Sequence, residues 1–290
     1  MANITAAQVK ELRDMTDSPM MECKKALVEA EGDMDKAVDI LRKNGLAAAA
    51  KKAGRATNEG AIGSFVSEDG KLAALVEVAC ETDFVGTNPK FTGFAAKLAE
   101  HIANTHPADV EALLASDMDG ETVEAALTEL IHVIGENMKI NRFVFRTADH
   151  GACSSYVHMG GKIGVLVEFS FDKAETAQAD AFKTFAHDVA MQVAAVAPIC
   201  ARREDVPAET IEHEMSIYKA QAAESGKPEA IQEKIATGRL EKFYKEVVLT
   251  EQAFIKDGDL TIAKYAEKVS KELGDSIQVI AFDRLARGDA

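Results

Sequence analysis

The feature that most restricts the fold is that the chain repeats itself. Gly60-Ala61-Ile62-Gly63-Ser64-Phe65-Val66 returns as Gly151-Ala152-Cys153-Ser154-Ser155-Tyr156-Val157, and Gly70 to Val78 returns as Gly161 to Phe169, always 91 residues later. Over residues 60 to 78, nine of 19 positions are identical at that offset. Each copy reads as a strand, a glycine-containing turn and a second strand, the pattern of a β-hairpin. The register continues into a helix, where Phe91, Phe94, Ala95, Ala99 and Ala103 match Phe182, Phe185, Ala186, Ala190 and Ala194. A second helix and a third strand close each unit: Glu121 to Ile134 then Met138 to Phe145, and Ile262 to Leu273 then Ile277 to Phe282. Gly135 matches Gly274 at an offset of 139, so the second copy carries an insertion of 139 minus 91, or 48, residues. Two related α+β halves, each a three-stranded antiparallel sheet covered by helices, follow from this pattern.

The remaining segments have a different character. Residues 4 to 15 show helical spacing, and Asp17-Ser18-Pro19 offers cap residues and a first-turn proline for a helix from Met20 to Ala30. Asp33 is placed to cap a third helix, expected to stop at Asn44-Gly45. Residues 46 to 59 then read as a short helix giving way to a polar linker, which would leave a three-helix module tethered and mobile. In the insertion, helical patterns on either side of Ser225-Gly226-Lys227-Pro228 predict an antiparallel hairpin that projects, or a lid packed on the core. The fold class expected is α+β with three parts: a module at 1–54, a first core half at 55–146 and a second at 147–290, interrupted by the hairpin at about 204–250.

Composition narrows the function classes. A net charge of −15 argues against a phosphate-binding surface, so a protein partner is expected rather than direct nucleic-acid contact. Residues 1 to 54 hold nine acidic and nine basic residues, so the whole net charge lies beyond them. Cys23, Cys80, Cys153 and Cys200 form no Cys-x-x-Cys pair, and no histidine stands at metal-ligand spacing; reduced thiols, no metal and a cytoplasmic location are the simplest reading. No apolar run approaches the about 18 to 20 residues of a membrane span, and Met1-Ala2-Asn3 opens into a helix pattern without a signal peptide.

The two copies differ most after the second strand. Thr82-Asp83-Phe84-Val85 in the first half stands opposite Lys173-Ala174-Glu175-Thr176, an ordinary polar turn. In the first half, Asp83 or Asn88 could cap the next helix, with Phe84 or Phe91 packing over its start. The second half makes the same connection without Asp-Phe, which points to function. The turn His158-Met159-Gly160 also departs from its counterpart Ser67-Glu68-Asp69.

Leu12-Arg13-Asp14-Met15-Thr16, followed by Met20-Met21-Glu22-Cys23-Lys24-Lys25-Ala26-Leu27, resembles the N-terminal signature of the bacterial elongation factor Ts family. Thr82-Asp83-Phe84-Val85 strengthens that resemblance, which extends over the duplicated core and the inserted hairpin. It implies a ubiquitin-associated-like (UBA-like) module, a two-part core and a coiled-coil hairpin. The implied activity is guanine nucleotide exchange on the GTPase elongation factor Tu, without cofactor or covalent catalysis. It also implies that Asp83 and Phe84, within Thr82 to Val85, reach the GTPase beside its magnesium site. Met20, Met21 and Lys24 would bind the same GTPase domain, and Tyr156 and His158 would form a second-half contact. Self-association through the hairpin, or a further GTPase contact there, stays open.

Two positions depart from the family pattern: Ser18-Pro19, expected to stiffen the helix start, and Gly86-Thr87, expected to loosen the loop or remove a polar contact. The rival classes are a thiol hydrolase using Cys80 or Cys153, and a pure assembly protein. Neither cysteine lies in a nucleophile motif, and the second rival leaves the Asp-Phe turn without a role.

Overall fold

A computed structural model describes residues 4–224 and 226–289. Met1 to Asn3 and Ser225, which enter the expectations above, lie outside the described residues.

Three helices open the chain: α1 (Ala6–Thr16), α2 (Met20–Glu29) and α3 (Met34–Lys52). Thr5 and Gln8 form a reciprocal capping box on α1, and the Asp33 side chain accepts from Lys36 N to cap α3. Asp17 does not cap α2; it ends α1 in the left-handed region (φ 52°), and Pro19 occupies the cap position of α2. Val9, Leu12, Cys23, Ala26, Leu27, Ala37 and Leu41 make the module's core.

Asn44-Gly45 does not stop α3. Gly45 is buried against α7 (Val123–Ile134), where an added Cβ would stand 3.5 Å from His132. Helix-on-helix packing there outweighs the roughly 1 kcal/mol that glycine costs a helix, and Ala49 reaches the first half's core. Nor is the linker loose. Ala53 and Arg55 carbonyls accept from the Asn137 side chain (3.4 and 2.8 Å), and Arg55 pairs with Glu81.

The first half then runs β1 (Glu59–Val66), β2 (Leu72–Cys80), the single turn α4 (Asp83–Gly86), α5 (Pro89–Thr105), α6 (Val110–Ala115), a ribbon of β3 (Asp117–Met118) and β4 (Glu121–Thr122), α7 and β5 (Met138–Thr147). The second half runs β6 (Gly151–His158), β7 (Ile163–Ser170), a 3-10 turn at Ala174–Gln178 and α8 (Asp180–Val196). After the inserted α9 (Ala208–Ala223) and α10 (Glu229–Val247) come a ribbon of β8 (Ala253–Phe254) and β9 (Asp257–Thr261), α11 (Ile262–Leu273) and β10 (Gln278–Ala286). The sheets are antiparallel, ordered β1-β2-β5 and β6-β7-β10.

The inserted helices share a thin core of Leu240 and Tyr244 with Ile211, Met215 and Tyr218. At their base Arg203 bridges Glu241 and Glu251 and lies 4.2 Å over the Tyr244 ring. Ribbon β3-β4 has its counterpart in β8-β9, and Thr122 and Thr261, 139 apart, both cap the helix that follows.

Two sheets of related sequence dock through equivalent contacts. Ile62 N donates to Gly161 O (2.8 Å), and Cys153 N donates to Gly70 O (2.7 Å), each bond joining one half's first strand to the other half's turn. Ala148 N to Lys71 O and Arg287 N to Lys162 O form a second such pair. Gly70 (φ +72°) and Gly161 (φ +98°) need the left-handed region, and an added Cβ would fall 2.8 Å from Ala152 and 2.7 Å from Ala61 respectively. Between the sheets Ile62, Ala73, Leu75, Ala148, Cys153, Leu166 and Leu285 form an apolar cluster.

Gly161→Val should therefore lower the unfolding free energy by at least about 2 kcal/mol, combining backbone strain with overpacking. Gly93→Ala, in α5 with open space around the added carbon, should be neutral or stabilising by up to about 1 kcal/mol. Urea denaturation midpoints of the two variants check both.

Candidate partner-binding site

At the end of β2 the chain turns through Glu81-Thr82 into the one-turn helix α4 and then into α5. Successive helical residues point about 100° apart, so a single turn has both an inward and an outward side. Val85 and Gly86 point inward and are buried. Phe84 points outward with 84% of its surface exposed. The ordinary structural tasks here fall to other residues. Asn88 caps α5 through Lys90 N (2.9 Å), and Phe91 packs fully buried beneath it. The Asp83 carboxylate has no hydrogen bond or ion pair among the described residues, so neither Asp83 nor Phe84 performs these structural tasks.

The loop is firmly held. Glu136, just before β5, accepts from Glu81 N (3.2 Å), Thr82 N (3.0 Å) and the Thr82 hydroxyl (2.6 Å). Glu81 in turn accepts from Asn137 N (2.6 Å). Gly86-Thr87, expected to loosen the loop, tightens it. Gly86 lies so close to β1 that an added Cβ would be 3.1 Å from Gly60 O, and the Thr87 hydroxyl donates to the carbonyls of Asp83 (3.3 Å) and Phe84 (3.2 Å).

The docking of the sheets carries the β6-β7 turn of the second half to this loop. Phe84 and Asp83 share a cleft of about 440 Å³ with Met159, Gly160, Lys162, Glu59 and Arg287. Met159 is 63% exposed and has a left-handed backbone (φ 49°). It is a second large apolar group held toward solvent beside Phe84. Sequence reasoning marked the turn His158-Met159-Gly160 without selecting Met159. Tyr156 and His158 lie beyond the cleft's lining, half-buried and bonded to each other (Tyr156 Oη to His158 Nδ1, 2.9 Å), with the Tyr156 ring edge-on to His187.

On the module, Met20 and Met21 are both exposed, as is Lys24, while Cys23 between them faces the core. Neither methionine fills the module's core. Ser18 is buried, and its carbonyl accepts from the Cys23 thiol (3.4 Å), fixing the start of α2. Asp17 pairs with Lys90 (3.2 Å), which sets the α1–α2 turn beside the first turn of α5. The module's methionines lie outside the cleft of Phe84 and form a separate patch.

Glu136 was missed in the sequence. Its signal was present: it follows Gly135 as Asp275 follows the matching Gly274. Asp275 holds the equivalent turn, accepting from Asp172 N (3.0 Å), Lys173 N (3.1 Å) and the Thr176 hydroxyl (2.5 Å). Burial works against its ionisation, but these hydrogen bonds and one from Ser276 N bring the Asp275 carboxyl down to about 2.

A family model described as Elongation factor TS matches residues 81–289, beginning at the turn beneath Phe84. Over 289 residues the chain is 49% identical to elongation factor Ts of Trichlorobacter lovleyi, an alignment covering 99% of this chain and 93% of that protein. Its identity to elongation factor Ts of Clostridium perfringens is 50% over 287 residues, with the same coverage of each chain. For Clostridium kluyveri the figure is 48% over 290 residues, again 99% and 93%. The three-helix module, the paired sheets and the inserted hairpin are thus all within the span of similarity, and the chain belongs to the elongation factor Ts family.

Proposed function

We propose that this chain is the guanine nucleotide exchange factor for elongation factor Tu, acting by binding and not as an enzyme. The observation that carries the mechanism is Phe84: a large ring, 84% exposed, on a turn that Glu136, Gly60 and Thr87 hold from three sides. A partner that binds the nucleotide-free GTPase more tightly than the GDP-bound form must weaken GDP binding by the same factor. No proton transfer or covalent step is required. In this reading Phe84 wedges between apolar elements next to the magnesium and phosphate loops of the GTPase, and Asp83 accepts hydrogen bonds from the displaced backbone. Thr82 and Val85 anchor the wedge.

Met20, Met21 and Lys24 on the UBA-like module supply one grip on the GTPase, and Tyr156, His158 and Met159 supply another from the second half. The inserted helices act as a coiled-coil arm adding further contact. The acidic surface, at −15 overall, fits a protein partner in the cytoplasm better than direct binding to nucleic acid. Among the described residues no helix is long and apolar enough to cross a membrane.

The thiol-enzyme reading finds no support in the cysteines. Burial, with Glu136 nearby, pushes Cys80 up to about 11; burial, with Glu168 nearby, pushes Cys153 up to about 12. A thiolate is the reactive form, so both are poor nucleophiles near neutral pH.

Three outcomes follow. Stopped-flow release of fluorescent GDP from elongation factor Tu should be accelerated by the protein, and Phe84→Ala should lower exchange efficiency by roughly tenfold or more, since burying a phenylalanine is worth about 1.5 to 3 kcal/mol. Release by Phe84→Ala at the wild-type rate would refute the wedge. Met159→Glu should raise the concentration needed for half-maximal release, and an unchanged titration would remove Met159 from the surface. Iodoacetamide at pH 8 should leave Cys80 and Cys153 unmodified in the native protein, read by peptide mass spectrometry, and exchange should survive the treatment.

A further inference from the structure

We propose that Glu136 is a positioning residue for exchange, its carboxylate setting where Asp83 and Phe84 stand. The inference rests on the exchange reading above and adds a residue from a distant part of the chain.

Both carboxylate oxygens are engaged. Oε2 takes the N–H groups of Glu81 (3.2 Å) and Thr82 (3.0 Å), and Oε1 takes the Thr82 hydroxyl (2.6 Å). Thr82 occupies the cap position of α4, where a threonine hydroxyl ordinarily accepts from the helix's own first N–H groups. Here it makes no such cap bond. The orientation of α4 is instead set from outside, through the residue directly preceding Asp83. The bond from the hydroxyl is short, as charge-assisted hydrogen bonds are, and the other two act on the backbone.

The second half shows what the clamp does when no partner-facing group depends on it. Asp275 bonds the two equivalent backbone N–H groups, but its hydroxyl donor is Thr176, the residue matching Val85 at the offset of 91. In the first half the hydroxyl has moved to Thr82, and the inward position has become the apolar Val85, which enters the core. Glutamate in place of aspartate adds the reach this rearrangement uses. A carboxylate at this point, bonded to these two backbone N–H groups, therefore belongs to the fold, while its bond to the hydroxyl of the residue next to Asp83 belongs to the first half alone.

The test compares Glu136→Gln, Glu136→Asp and Asp275→Asn with the unmodified full chain. GDP release from elongation factor Tu is measured over a range of exchange-factor concentrations, with thermal unfolding and amide hydrogen exchange of residues 81–87 in the free protein. Glu136→Gln should lower the maximal release rate about tenfold, with the half-saturating concentration within about twofold, and should speed hydrogen exchange in the loop. Glu136→Asp keeps the charge but loses the reach to the Thr82 hydroxyl, so its maximal rate should fall between those of Glu136→Gln and the unmodified chain. Asp275→Asn removes the matching bonds, so it should lower the unfolding temperature to a similar degree while leaving the maximal rate within about twofold. The proposal is overturned if Glu136→Gln keeps the wild-type maximal rate, if its loss is no larger than that of Asp275→Asn, or if hydrogen exchange in the loop is unchanged. Should the unmodified chain fail to release GDP, the exchange reading falls, while loop hydrogen exchange still decides whether Glu136 sets the turn.

Discussion

The site depends on the way the two sheets exchange hydrogen bonds. Each half's β-turn presents a glycine carbonyl that accepts from the first strand of the other half, Gly161 O from Ile62 N and Gly70 O from Cys153 N. That contact needs glycine twice, because each turn is left-handed and its Cα rests on an alanine of the opposite sheet. The cluster around Leu75 and Leu166 then closes between the sheets. At its edge Glu77, 1% exposed, is satisfied by Arg142 Nε (2.7 Å), Asn141 Nδ2 (3.2 Å) and Gly288 N (3.1 Å). Gly288 N comes from the second half, and Arg142 also donates across to Ala286 O (2.8 Å), so this charged pair of the first sheet is tied to the end of the second half. The cleft between Phe84 and Met159 follows from this docking, because only the docking sets the turn of one half against the loop of the other.

Duplication also separates what the fold needs from what the surface does. The position that faces inward is filled in both copies, by Val85 and by Thr176, and both are buried. The preceding position faces solvent in both copies, as Phe84 and as Glu175. Glutamate at an exposed turn suits water, whereas Phe84, with Met159 beside it across the cleft, sets two large apolar groups together at the surface.

Much of this was legible in the amino-acid sequence, and the reasons for success and failure are physical. The hairpins, the long helices and their pairing into halves showed because strand and helix periodicity are local and appear twice. That the connection does not need Asp83 and Phe84 showed because the second copy supplies a comparison, and Asn88 and Phe91 do the capping and packing in their place. The continuation of α3 through Asn44-Gly45 did not, since local propensity says stop and only packing on His132 says continue. Ribbons β3-β4 and β8-β9 are too short to carry an alternation. Glu136 and Met159 act across 54 and 75 residues of chain from Thr82 and Phe84, and no local pattern reports such a meeting. The shared Gly135-Glu136 and Gly274-Asp275 pairs show that the duplication held a clue even there.

An exposed phenylalanine does useful work on a partner only if its own support does not yield. If the turn could swing aside, contact with the GTPase would displace the ring rather than the nucleotide-binding loops, and the two GTPase states would be bound with equal strength. Equal affinity for two states shifts nothing, however tight the binding. A turn already fixed before contact also avoids the ordering cost of about 0.5–1.5 kcal/mol that an immobilised side chain carries. Backbone held by a carboxylate, a glycine seated on a neighbouring strand and a threonine closing the last carbonyls all oppose yielding. On the proposed exchange reading, the stiffness of residues 81 to 87 is therefore part of the mechanism, because it would convert binding energy at Phe84 into strain on the partner's nucleotide site.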